Sequence, residues 1–253
     1  MERVLITGAA GRIGGMLRER LTGVELRLLD VEPAGSGSIV ASVTDPDAML
    51  EACTGVDAVV HLGGISGEDT WERIRDVNIE GTYGVFEAAR RAGVRRVVYA
   101  SSNHAVGFWP NPTENAPELP DDLPPRPDTF YGVSKVLGEA LGALYHDRHG
   151  MDVVCLRIGS CFPAPRDLRG LATWLSPGDC ARLVHAALTC ENPGFRTVWG
   201  ISANTRRTWS LAGGAAIGYH PQDDAEVFAA QLTAGSPERE EAGRRYVGGA
   251  FTL

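Results

Sequence analysis

Lysine is nearly missing from this chain. Of its 24 lysine and arginine residues only one, Lys135, is lysine. Arginine fills the other positions, as a G+C-rich coding bias would produce. A site that keeps lysine against such a bias needs an ammonium on a flexible stem, which the larger planar guanidinium cannot replace. Lys135 closes Tyr131-Gly132-Val133-Ser134-Lys135. With six tyrosines in 253 residues, a randomly placed lysine falls four residues after one only about 2% of the time. On a helix, residues i and i+4 share a face. A cation so placed favours the phenolate, so the pair predicts a tyrosine of lowered pKa. Gly132 between them is assigned no role.

Other absences narrow the function. The five cysteines (Cys53, Cys155, Cys161, Cys180 and Cys190) are odd in number and form no C-x-x-C. They read as free thiols of a reducing cytoplasm, and no metal site is expected. No apolar run nears the ~20 residues of a membrane span. Met1-Glu2-Arg3 leads straight into a strand-like run, so no leader peptide is expected. The net charge of −8 argues against nucleic acid and anionic membrane as partners.

What is present is an alternation of apolar runs and helical patterns. Strands are predicted at Arg3–Thr7, Glu25–Asp30, 38–42, 57–62, 95–101 and Asp152–Ile158. Helices are predicted at 12–21, from the Asp45-Pro46-Asp47 cap, at 70–92 up to Gly93, and at 131–149. This βαβα order means a parallel sheet covered on both faces. Beyond Ile158, Ser176-Pro177-Gly178-Asp179 opens a helix to Thr189. A strand is expected at 196–202 and a short helix at 222–231. The polar stretch 235–245 reads as frayed. Residues 109–127, rich in proline and acid, form a loop long enough to be functional or mobile. His146 and His149 read as stabilising a helix C-terminus. Trp71, Trp109, Trp174, Trp199 and Trp209 read as core.

Thr7-Gly8-Ala9-Ala10-Gly11-Arg12-Ile13-Gly14 joins the first strand to the first helix. Gly8, Gly11 and Gly14 permit a tight turn and a close approach of backbone to a pyrophosphate, which then faces the positive end of the helix. Asp30 ends the next strand about 20 residues on, where a carboxylate accepts from the ribose 2′-hydroxyl and repels a 2′-phosphate. The expected cofactor is therefore NAD. The expected fold is an α/β Rossmann-type, doubly wound parallel sheet. It forms one domain, with residues 159–253 contributing most of a small C-terminal substrate-binding region.

These residues, with His61-Leu62-Gly63-Gly64, Asn78 and Ser101-Ser102, make the chain resemble the extended short-chain dehydrogenases/reductases of the NAD-dependent epimerase/dehydratase group. A closer resemblance, to the uronate dehydrogenases, rests on His61 to Ser66, Ser101-Ser102-Asn103-His104, Arg157 to Cys161, Leu168-Arg169-x-x-x-Thr173-Trp174 and Val198 to Asn204. The resemblance implies NAD-dependent oxidation of C1 of a hexuronic acid to the aldarolactone. It places the catalytic set at Ser102, Tyr131 and Lys135, with Tyr131 as base. It also implies cofactor contacts at Arg12, Ile13, Val43, Leu62, Gly63, Gly64, Asn78, Tyr131, Lys135 and Ile158. Sugar-acid contacts fall at Ser66, Ser102, Asn103, His104, Tyr131, Ser160 and Arg169, and the subunits are expected to pair as a homo-oligomer.

Two departures stand out. Ser42-Val43 replaces an aspartate and an apolar residue near adenine, and the 109–127 loop is longer. Arg169 is the expected carboxylate clamp, because a guanidinium grips a carboxylate in bidentate fashion; Arg166 competes for the role. The rival readings are a nucleotide-sugar epimerase or dehydratase and a non-catalytic NAD sensor. The first needs a larger C-terminal lobe than the 253 − 158 = 95 residues after Ile158 allow. The second predicts erosion of Tyr131 or Lys135, and both are present.

Overall fold

The computed structural model describes residues 2–113 and 115–253. Its centre is a seven-stranded parallel sheet in the order β3-β2-β1-β4-β5-β6-β9. The strands are β1 (Arg3–Thr7), β2 (Glu25–Asp30), β3 (Ile39–Val40), β4 (Ala58–His61), β5 (Arg96–Ser102), β6 (Asp152–Ile158) and β9 (Phe195–Gly200). A separate parallel pair joins β7 (Ser160–Cys161) to β8 (Trp174–Leu175).

Continuous apolar runs form the central strands because both faces are covered. Alternation still sorts the side chains. Val4, Ile6 and Val60 point into one core layer, completed by α1 (Arg12–Arg20) and α7 (Pro177–Thr189). Leu5, Val59 and Val97 point into the other, under α2 (Pro46–Cys53), α4 (Glu80–Arg91) and α5 (Phe130–His149). The caps fall where the sequence put them. Asp45 accepts from the Asp47 and Ala48 amides, and Ser176 accepts from that of Asp179. The chain winds outward from β1 in both directions, so strand order reverses between β1 and β4. In such sheets the ligand crevice opens there, at the carboxyl ends of the strands.

The helix expected across 70–92 runs without a break from Trp71 to Arg91, with a π-helical stretch at Ile74–Ile79 between α3 (Trp71–Arg73) and α4. A wide turn of this kind re-aims side chains, and here it carries Asn78. Two more expectations are corrected. The 235–245 stretch is not frayed but forms α9 (Pro237–Arg245). The long 109–127 loop is tied down over its described residues. The Arg157 guanidinium donates to the Asp121 and Leu123 carbonyls, the Trp199 indole to Leu119, and the Trp109 indole to Pro124. Beneath it, Trp199 and Trp209 stack at 4.4 Å in a satellite core with Val106, Leu123 and Val247.

Helix α5 lies close on β5, and Gly138 makes this possible. A Cβ there would sit 2.2 Å from Tyr99 Cζ and 2.4 Å from its hydroxyl oxygen. Gly138→Ala gains helix propensity but must push α5 off the sheet. Overpacking of this kind costs about 1–3 kcal/mol, so thermal unfolding should show a Tm several degrees lower; an unchanged or higher Tm refutes the close-approach argument.

Candidate active site

One cleft of about 1130 Å³ runs along the carboxyl ends of β1, β2, β4, β5 and β6. Every residue singled out above for catalysis, cofactor or substrate lines it, except Asn78. The Asn78 side chain is turned into the protein. Its oxygen accepts from the Ile65 amide at 2.7 Å, and its nitrogen donates to the Ile65 carbonyl and to Ser134 Oγ. It clamps the loop after β4 onto α5, a job set by the π turn that no sequence spacing signals.

The glycine loop has the shape a phosphate cradle needs. Gly8 has φ +71°, and a Cβ there would lie 2.7 Å from the Gly63 nitrogen. On Gly14 it would lie 2.4 Å from the Gly8 carbonyl oxygen. Helix α1 begins at Gly11 with no side-chain cap. Its first-turn amides therefore have no intrahelical partner and face the cleft with the positive end of the helix. Asp30 is held beside them by the Ala10 amide at 2.8 Å and the Val31 amide at 2.7 Å. Val43 packs between the glycines of two elements: a Cβ on Gly63 or on Gly81 would meet it at 2.8 or 2.7 Å. Thr7 Oγ1 accepts from the Gly63 amide and pairs with His61 Nδ1 at 2.8 Å, so the β4 loop is fixed from below. Burial, helped by the Lys135 charge, pulls His61 down to about 3 and keeps it neutral.

The cleft floor is built by β5 and α5. Ser102 ends β5, where its hydroxyl accepts from the His104 amide and lies near enough to the Tyr131 phenol to lower its pKa. Thr129 caps α5 by accepting from the Gly132 amide, and this presents Tyr131 in the first turn. Tyr131 is half-buried by area, yet its phenol lies deep enough that burial pushes it up to about 12. The Ser102 hydroxyl opposes this and the Asp128 carboxylate adds to it. The expected low-pKa phenol is therefore not present in the protein alone. The reason is burial. Lys135 Nζ donates to the Ala100 carbonyl at 2.8 Å and lies 5.3 Å from the Tyr131 ring centroid. Burial pulls Lys135 itself down to about 8, and the Glu139 carboxylate resists that.

The far wall holds the other expected residues. His104 pairs with Asp128 at 2.8 Å and stacks on Phe251 at 4.2 Å between centroids. Asn103 donates to the Val247 carbonyl. Ser160 bonds Thr173, whose hydroxyl donates to the Arg169 carbonyl. Arg169 is half-buried, and burial lowers its pKa. It donates to the Val247 carbonyl at 2.6 Å and, among the described residues, has no carboxylate within salt-bridge distance. Arg166 is exposed and lies over the Phe162 ring at 4.8 Å. Sequence reasoning missed the C-terminal wall: Arg239 on α9 and Phe251 both line the cleft. Its polar composition hid it, because α9 and the residues after it are held to the 107–111 segment by bonds to backbone carbonyls, such as Asn111 to Arg245 and Gly243 and Val247 to Trp109.

A crossover crevice with an uncapped glycine turn, a ribose-side acid and a Ser-Tyr-Lys floor defines a dinucleotide-dependent enzyme class. Residues 4–169 match the model of the NAD dependent epimerase/dehydratase family, and the chain belongs to that family. It is 40% identical to the uronate dehydrogenase of Pseudomonas putida over 99% of this chain and 96% of that one. Its fold is similar to a crystal structure of a uronate dehydrogenase variant from Agrobacterium tumefaciens complexed with NAD. The TM-score is 0.90 at 40% identity, covering 100% of this chain and 97% of that one. Glucuronic acid dehydrogenase from Chromohalobacter salexigens superposes with TM-score 0.91 at 36% identity, covering 99% and 96%.

Proposed function

We propose that this protein oxidises C1 of a cyclic hexuronic acid, galacturonate or glucuronate, with NAD, giving the aldarolactone. The observation that carries the reading is Arg169. It is a half-buried guanidinium without a carboxylate partner among the described residues, in the same cleft as Tyr131 and Ser102. A net-negative protein repels an acidic sugar overall, so a local cation must hold it. The similarity to uronate dehydrogenases along the whole chain supports the same reading.

In this mechanism the α1 amides and Gly8, Gly11 and Gly14 hold the pyrophosphate of NAD, and Asp30 accepts from its adenosine ribose. Arg12, Ile13, Val43, Leu62, Gly63, Gly64 and Ile158 wall the cofactor channel. Bound there, NAD supplies the hydride acceptor and a positive charge. Ser102 orients the C1 hydroxyl by hydrogen bonding, and Tyr131 removes its proton. A phenol held near 12 is a poor base at neutral pH. Lys135, with Nζ 5.3 Å from the Tyr131 ring centroid, favours the phenolate in part, and oxidised NAD held in this cleft would supply further positive charge. Ser66, Asn103, His104 and Ser160 contact the sugar hydroxyls, and Arg169 binds the carboxylate. Residues 159–253 serve as the substrate-binding region, and the protein acts in the cytoplasm. None of its described helices is long and apolar enough to cross a membrane.

Tyr83 on α4 and Val133 and Leu144 on α5 are exposed apolar side chains. We assign this face to self-association, and sedimentation should show a species larger than a monomer; a monomer alone at micromolar concentration rules it out.

Tyr131→Phe should keep NAD affinity and lose at least ~10² in kcat; near-normal turnover removes Tyr131 from the mechanism. Loss of one charge-assisted clamp should cost roughly 2–4 kcal/mol of kcat/KM. Arg169→Ala should therefore impair both uronates strongly, spare NAD binding, and shrink the preference over glucose and galactose. Measuring kcat/KM for all four sugars on both proteins decides it: a wild type indifferent to the carboxylate ends the uronate assignment, and an effect seen only in Arg166→Ala moves the clamp.

A further inference from the structure

The reaction scheme leaves one buried cluster without a task. Glu139 and Arg157 are 5% and 2% exposed and form a two-point ion pair, with Nε to Oε1 at 2.9 Å and Nη2 to Oε2 at 2.8 Å. Ser101 Oγ donates to Glu139 Oε1 at 2.6 Å. The spare Arg157 nitrogen donates to Asp121 at 3.1 Å and Leu123 at 2.9 Å. Such a pair costs much desolvation and is weak evidence of stability on its own. Its position suggests another use. Glu139 lies one helical turn beyond Lys135 on α5, on the same face. Ala100, which accepts from Lys135 Nζ, adjoins Ser101, which bonds Glu139. The carboxylate and the ammonium are thus attached to successive residues of β5.

We propose that Glu139, oriented by Arg157 and Ser101, is a positioning residue that keeps the Lys135 ammonium charged in its buried site. The proposal rests on the reading of Lys135 as the helper of Tyr131.

The groups facing Lys135 make the case. From α5 come Tyr131, with its ring centroid 5.3 Å away, and Glu139. From β5 come the Tyr99 ring at 5.1 Å and the Ala100 carbonyl. From β4 comes His61, neutral and itself sensitive to the Lys135 charge. From β6 come Cys155, whose buried thiol is pushed up and so stays neutral, and Arg157, which reaches Lys135 only through Glu139. The Asp128 carboxylate acts on Tyr131. Glu139 is thus the carboxylate that offsets Lys135's burial, which holds the ammonium at about 8 even with this help. A neighbouring anion favours a buried ammonium, and desolvation disfavours it. Arg157 fixes the direction of the carboxylate through its two-point bond and competes with Lys135 for its charge.

Because the chain holds a single lysine, the charge can be read directly. Lysine labelled at its ε-carbon gives one magnetic resonance signal, whose pH titration in the intact protein reports Lys135 without recourse to activity. Glu139→Gln should move that midpoint down by at least about one unit, a tenfold change in the protonation equilibrium. The alkaline decline of kcat should move down with it. Glu139→Asp, which keeps the charge, should stay within about half of that shift. Arg157→Gln should move the midpoint up, because the carboxylate, still held by Ser101, is then left to Lys135 alone. Opposite shifts cannot come from general loosening, and the Arg157 variant decides the matter even if the Glu139 variant folds poorly. Equal midpoints in wild type and the variants, or same-sign shifts for Glu139→Gln and Arg157→Gln, overturn the proposal. If the midpoints shift as stated while Tyr131→Phe remains active, the charge device stands and the catalytic reading is what fails.

Discussion

The buried bond between Arg157 and Glu139 holds four separate parts of the molecule in register. Arg157 belongs to β6, Glu139 to α5 and Ser101 to β5, while Asp121 and Leu123 lie on the long connection that crosses the outside of the sheet. Each contact satisfies a polar group that would otherwise be stranded away from water. Removing one partner of such a pair typically costs about 3–5 kcal/mol, because the survivor is left charged and unpaired. Because α5 also carries Tyr131 and Lys135, the pair that fixes the helix also fixes the chemistry at its start.

The strands of the parallel sheet, the glycine turn and the Tyr-Lys helix were legible because each depends on local spacing. Apolar runs at strand length, a proline after a capping acid and a lysine four residues after a tyrosine all carry their meaning within a few positions. What stayed hidden depends on partners distant in sequence. Asn78 matched the family position for a cofactor contact, but a π turn aims its amide at Ile65 and Ser134. The 109–127 connection read as functional or mobile, with no sign of how it is held, because its anchors are carbonyl oxygens, which every residue has. Helix α9 looked frayed because its polar sequence buries little, Ala242 excepted. Backbone bonds to the 107–111 segment hold it in place.

The electrostatics also reverse one inference from spacing. Proximity of a lysine was expected to loosen the tyrosine proton, and the two do share a helix face. Burial acts on both, however, and pushes them in opposite directions: the phenol up to about 12 and the ammonium down to about 8. Sequence spacing reports which groups meet, but not how much water each has lost. At neutral pH the protein alone therefore holds a neutral phenol beside a charged lysine.

The burial of Lys135 also has a practical side. Ester- and aldehyde-based coupling reagents attack lysine side chains, and most proteins offer many on their surface. Here the sole lysine is 8% exposed, its nitrogen engaged with the Ala100 carbonyl at the bottom of a cleft. Side-chain amine coupling to a resin or a dye has no surface target on this molecule. Any reagent that does reach this nitrogen modifies the working site itself, so its rate of reaction can be used to gauge how far the cleft is open.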